Sequence, residues 1–336
     1  MGTKQRLLSN DFIHDLTSIV GILRPLLRRV HEDDTLDMHI RAEALNVYYR
    51  GVSVLKVNRK SKGLYEFFFD PKYFEDGQLG SGGSPRRGLG GSKTIKTHED
   101  CEQWVASLPL LKDSMDRWLT LVKSAREREA QQLFVRENTW DEAGARATDY
   151  FVLDVEYADG VGRADVVAMR WPSTRADRVG TGPHRLALVE LKFGDGAIGG
   201  TSGLKKHVAD AAKLAAQPTL ARLCDEMEAV YHVKHRLRLI NNGRPDQGSL
   251  DRSGLDLIFV LANHDPAKTA LSTEIRAIMA MDPSKKPANL NIFVARANAF
   301  GYGLFEDRLM PLTEFAVLLE ADAVRHAVAR RRPVSA

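Results

Sequence analysis

The run LALVELKFG, residues 186–194, constrains this chain more than any other segment. Leu186, Ala187, Leu188, Val189, Leu191 and Phe193 give it the apolar composition of a strand buried on both faces, yet Glu190 and Lys192 stand inside it. Successive side chains of a strand point to opposite faces. Glu190 and Lys192 therefore share one face, and Val189, Leu191 and Phe193 take the other. A carboxylate and an ammonium buried in such a strand are costly unless they are paired or used. The plain alternative is an ion pair on a solvent-facing edge strand, and an E-x-K triplet by itself occurs by chance about once in a chain this long.

The preceding strand-like run, GRADVVAM, carries Asp165. If the two strands are neighbours, two carboxylates and one ammonium converge on one spot of the sheet. Carboxylates so close repel, which favours a shared proton or a bound cation. Hard oxygen ligands suit Mg²⁺, which keeps several waters and binds substrate phosphate as well. Asp165 and Glu190 are therefore the expected metal ligands, and Lys192 the group that positions a water or stabilises developing charge. Together these make a minimal kit for phosphodiester hydrolysis.

Around this centre the pattern reads as helix, three strands, two helices, strand, helix, strand, from a long helix over SMDRWLTLVKSAREREAQQLFVREN to a last helix over LTEFAVLLEADAVRHAVARR. This order predicts an α/β fold with a mixed central sheet flanked by helices. Upstream, a helix through FIHDLTSIVGILRPLLRRV, capped by Asn10 or Asp11 with Pro25 at a break, and a second helix over MHIRAEAL precede the strand-like NVYYRGVSVLKVNR and GLYEFFF. The Gly/Ser-rich DGQLGSGGSPRRGLGGSK lacks the apolar content to order itself. The expected domains are an N-terminal α+β region at 1–76 for DNA or partner binding, a flexible linker at 77–96, a catalytic domain at 97–318 and a basic C-terminal helix and tail at 319–336.

GRADVV followed by E-L-K resembles the PD-(D/E)XK nuclease superfamily, with Asp165 at the motif's Asp and Glu190, Leu191 and Lys192 at its E-x-K. The resemblance covers about residues 115–300. Ala164 replaces the motif's proline, which shapes a turn and is no ligand, and the long gap from Asp165 to Glu190 requires an extended hairpin loop. What the resemblance implies is a restriction-endonuclease-like core and Mg²⁺- or Mn²⁺-dependent cleavage of DNA, as an endonuclease of restriction, phage defence or DNA processing. It also implies a completing catalytic Glu on the helix before the first strand, where Glu127 and Glu129 stand and Glu137 is a weaker candidate. The helix after the E-x-K strand, with Lys205, Lys206 and His207, falls where members carry a polar residue facing the site.

Other signals are weighed beside these. Asp154 and Glu156 form an acidic face of the first strand, which either extends the metal site or, as the preferred reading, is ordinary and exposed. GDGAIGGTSG lacks the P-loop pattern, and His264 at the end of IFVLANHD reads as a cap or turn. The net charge of +4 permits a polyanionic partner without demanding one. Arg50, Arg59 and Lys60, with Lys205, Lys206 and His207, are the expected nucleic-acid contacts. Tyr48 and Tyr49 read as hairpin core. The expected partner is DNA; RNA shares all the site chemistry, and a homodimer is a natural way to cut both strands. No ATPase motif is present, so any motor or sensor partner is a separate chain. No apolar run is long enough for a bilayer, and the two cysteines form no disulfide or zinc pattern, so the expectation is a reducing cytoplasm with no membrane contact. The competing expectation is a catalytically silent nucleic-acid- or protein-binding module of the same fold.

Overall fold

A computed structural model describes residues 6–74, 89–122, 125–139, 148–200, 203–240, 244–264, 269–297 and 301–330. The chain is mixed α/β and divides into two compact units, Met1–Gln132 with Glu226–Pro245, and Leu133–Asp225 with Asp246–Ala336. Among the described residues no helix is long and apolar enough to cross a membrane.

The first unit is built on five antiparallel strands in sequence order: β1 (Leu36–Arg41), β2 (Ala44–Tyr49), β3 (Val52–Ser61), β4 (Leu64–Phe69) and β5 (Gly91–Ile95). Tyr49 pairs with Val52, which leaves Arg50 and Gly51 as a two-residue turn with φ of 49° and 73°. Positive φ at both central residues is what a tight hairpin between twisted strands demands. Helices α1 (Asn10–Thr17), α2 (Arg24–Glu32), α3 (His98–Ala106) and α4 (Leu108–Leu121) complete this unit with most of α5 (Ala125–Glu137) and the end of α8 (Thr219–Arg236). The aromatic core joins helix to sheet: Phe12 lies 5.0 Å from Tyr65, and Phe67 meets Trp104 edge-on at 5.1 Å.

Several expectations change here. Ser9, not Asn10 or Asp11, caps α1, and Pro25 opens a separate helix α2. MHIRAEAL is no helix: it is the β1–β2 hairpin, in which Ile40 pairs with Leu45 and both are fully buried. Tertiary pairing outweighs the helical propensity of its alanines and glutamate. The expected linker contains β5, which pairs with β4 from Tyr65↔Ile95 to Phe69↔Gly91, while residues 77–88 lie outside the described residues. The division of contacts falls within α5 and α8 rather than at residue 97, so α3 and α4 belong with the N-terminal sheet.

The basic residues expected to meet nucleic acid here are held by carboxylates. Arg50 bonds Asp116 at 2.7 Å and Glu129 through Nε at 2.7 Å. Arg59 pairs with Glu43 at 2.8 Å and Asp11 at 3.4 Å, and Lys60 with Glu66 at 2.9 Å. Tyr48 is buried as expected, and Tyr49 donates its hydroxyl to Asp116 at 3.1 Å.

The second unit holds a six-stranded mixed sheet in the order β11-β10-β9-β8-β7-β6. β6 (Tyr150–Ala158), β7 (Arg163–Arg170) and β8 (His184–Phe193) run antiparallel in succession. β9 (Leu250–Ala262) and β10 (Leu290–Ala297) lie parallel to β8, and the short β11 (Met310–Pro311) closes the edge antiparallel. The parallel steps require crossovers. α7 (Leu204–Ala215) and α8 connect β8 to β9, and α9 (Thr269–Met279) connects β9 to β10; a short α6 (Arg175–Val179) precedes β8 and α10 (Leu312–Arg330) ends the described chain. Between β7 and β9, β8 is buried along almost its whole length, as its apolar composition requires.

Candidate functional site

The register brings the expected charges together. Val166 pairs with Val189 at the end of the β7–β8 ladder, so the next positions, Asp165 and Glu190, face each other across it. Residues opposed across an antiparallel pair project to the same face, and Lys192 follows on that face two residues along β8. Glu190 is 1% exposed and Lys192 6%, so the solvent-facing edge pair is ruled out. Asp165 keeps partial solvent access.

Each carboxylate reaches across to the facing strand. Glu190 Oε1 accepts the Asp165 backbone N–H at 3.2 Å, and Asp165 Oδ2 accepts that of Leu191 at 3.2 Å. Glu190 Oε2 is buried without a hydrogen bond. Lys192 Nζ lies 3.8 Å from it and His207 Nδ1 3.0 Å. Burial pushes the Asp165 carboxyl well above the ordinary carboxylate range, and the Glu190 carboxylate adds to the shift against Lys192 and His207. Burial likewise raises Glu190, and Lys192 opposes it. Two acids raised in this way hold a proton or attract a cation at neutral pH.

His207 stands on the first turns of α7, and this helix packs over the same sheet face: a Cβ at Gly162, just before β7, would lie 2.8 Å from Leu214 and 3.0 Å from the Asp210 carbonyl oxygen. His207, expected as a nucleic-acid contact on the helix where the resemblance implies a polar residue facing the site, has its side chain against Glu190. Lys206 is tied along the helix to Asp210 at 2.5 Å, and Lys205 is exposed.

The upstream glutamates do not behave as one group. Glu127 and Glu129 lie in the first unit, where Glu129 binds Arg50; Glu137, past the division, is exposed. The second unit has its own additional acids on β6. Asp154 is fully buried and pairs with Val167, which puts it on the face of Asp165, and the flanking pairs Val155↔Val166 and Tyr157↔Ala164 set Glu156 across from Asp165. Glu156 is exposed with φ of 49°. These pairs share the register of Ala158↔Arg163 next to the turn, and the register shift between Val152 and Asp154 lies beyond them.

The donors fit a hard divalent cation in one respect: Glu190 Oε2 is a buried carboxylate oxygen with no hydrogen bond to satisfy it. Among the described residues no group of three or more His, Cys, Asp or Glu is arranged to hold a metal ion. Mg²⁺ keeps several waters and takes one or two carboxylates with substrate phosphate, so Asp165 and Glu190 are a sufficient share for the protein to supply.

The fold and this cluster define an α/β protein with a buried acid–lysine site on a mixed sheet. No family model, curated protein or solved structure matches the chain.

Proposed function

We propose that the second unit is a divalent-metal-dependent nuclease with a restriction-endonuclease-like core, hydrolysing phosphodiester bonds of DNA. The observation that carries this reading is the opposition of Asp165 and Glu190 across β7 and β8 with Lys192 beside them, all on one face. The order of a helix, three antiparallel strands, two helices and a parallel strand is compatible with that core, and Glu190 and Lys192 lie on the third of the antiparallel strands, which supports the reading. A place in phage defence, restriction or DNA processing follows from the resemblance alone.

In this reading Asp165 and Glu190 hold Mg²⁺ or Mn²⁺, which when bound supplies charge stabilisation at the phosphate and lowers the pKa of a ligated water. Lys192 holds the attacking water or the phosphate oxygen, where its fixed charge offsets charge that develops in the transition state. His207 stands beside Glu190 Oε2 from α7. Exposed Lys205 binds the substrate backbone at the mouth of the site.

One observation favours a second reading, a silent binding module: each carboxylate accepts a backbone N–H of the facing strand, a structural role for both. Calorimetric titration with Mg²⁺ and Mn²⁺ separates the two. The nuclease reading expects binding by wild type and by Lys192→Ala, and none by Asp165→Ala or Glu190→Ala. Absence of binding by wild type, with and without DNA, would favour the module.

A further inference from the structure

β8 and β9 leave the sheet side by side, and their exits are latched. After Phe193 the chain turns through Gly194 at φ of 73°, and the Gly194 N–H donates to the Ala262 carbonyl at 2.9 Å. After Ala262 it turns through Asn263 at φ of 56°, a conformation that asparagine tolerates better than most residues. This second turn folds His264 back over the end of β8. The imidazole side chain is 4% exposed. Its Nε2 lies 2.8 Å from the Lys192 carbonyl oxygen, and its Nδ1 lies 3.4 Å from Asp195 Oδ1. A carbonyl oxygen only accepts, so Nε2 carries the proton and donates it. The peptide that bears Lys192 is thus gripped by a buried ring, and Asp195 stands against the ring's other nitrogen.

We propose that His264 is a positioning residue: through its Nε2–H bond to the Lys192 carbonyl it fixes the backbone from which the Lys192 ammonium reaches the site. Lysine has a long, flexible stem, so its charge is only as well placed as its Cα and the packing around the stem. Within the nuclease reading, on which this role in turnover rests, displacement of the ammonium by about 1 Å costs on the order of 10²-fold in rate without weakening ground-state binding.

The geometry supplies its own control. The side-chain amide nitrogen of glutamine falls near the position of imidazole Nε2, whereas that of asparagine falls near Nδ1. His264→Gln therefore keeps the donor to Lys192, and His264→Asn and His264→Leu lose it. Two readouts are taken on full-length chains checked for cooperative thermal unfolding: metal-dependent cleavage of DNA, and amide hydrogen exchange over residues 192–195 in metal-free protein.

The expected result is that the Asn and Leu variants lose about 10–100-fold in kcat with KM and Mn²⁺ affinity unchanged, and exchange faster at 192–195, while the Gln variant stays within about threefold of wild type in both. Asp195→Asn, which leaves the ring and its bond to Lys192 in place, stays within about threefold of wild type in both. A Gln variant as impaired as Leu, or a folded Leu variant that cuts and exchanges like wild type, overturns the proposal; where neither Leu nor Asn folds, a folded Gln variant that exchanges faster than wild type at 192–195 overturns it. If wild type cuts no substrate, the nuclease reading fails by itself, and the exchange pattern still decides whether His264 holds the end of β8.

Discussion

In the first unit the charged side chains meet opposite charges near the surface: Arg50 takes Asp116 and Glu129, Arg59 takes Glu43 and Asp11, and Lys60 takes Glu66. In the second unit two acids are driven together beneath α7, Glu190 almost wholly out of water, and both are held above the ordinary carboxylate range mainly by burial. The contrast separates charges that brace a fold from charges that strain it. Exposed pairs contribute little each, a few tenths to about 1 kcal/mol, and are satisfied as they stand. A buried pair of like charges is unsatisfied until a proton or a cation arrives.

The largest effect that would break this comparison is on turnover. Asp165→Ala and Glu190→Ala should each reduce metal-dependent cleavage by about 10³-fold and abolish calorimetric Mn²⁺ binding; retained binding in both would place the metal elsewhere. Next in size is a change of backbone in the first unit. Gly51 adopts a positive φ, and an added Cβ would lie 2.1 Å from the Arg128 carbonyl oxygen. Gly51→Ala should destabilise that unit by about 1–3 kcal/mol or more in denaturant unfolding, with Mn²⁺ binding at the second unit unchanged.

A pH effect sharpens the contrast. Folding raises the affinity of Asp165 and Glu190 for protons. The stabilisation that this proton uptake gives is fully present below the ordinary carboxylate range and is lost as pH rises from there through the raised folded values. Thermal unfolding of the metal-free second unit should therefore show a contribution that falls with rising pH across that window. Glu190→Gln should flatten it, and an unchanged slope in that variant would contradict the raised carboxyl. Smallest are the surface cations. Lys205→Ala should weaken DNA binding and reduce the salt slope by about 1, whereas Arg50→Ala, already committed to carboxylates, should leave the slope unchanged and cost about 0.2–1 kcal/mol of stability. Fluorescence titrations at several salt concentrations separate these two residues.

What the sequence revealed of the site was what alternation along one strand can carry. Glu190 and Lys192 share a face by spacing, and their apolar neighbours announce a central strand. Asp165 needed only that the next strand be a neighbour. Asp154 and Glu156 share a face by the same alternation, but Asp154 is buried and Glu156 exposed, a difference that alternation does not contain. His207 and His264 were visible as residues, but their contacts with Glu190 and with the Lys192 carbonyl depend on how α7 and the exit of β9 fold back. In the first unit β5 hid in a Gly/Ser-rich segment because an edge strand takes its order from its partner, here β4. Glu129, a candidate by its position on a helix, pairs with Arg50, a contact that helix spacing does not contain.

The most direct test of the central claim is cleavage of supercoiled and linear DNA with Mg²⁺ or Mn²⁺ by wild type beside Lys192→Ala, the variant first shown to fold and to bind metal normally. The account predicts metal-dependent cutting by wild type and a loss of at least about 10²-fold in the variant. Equal cutting by both proteins would show that the reaction takes place somewhere other than beside Asp165 and Glu190.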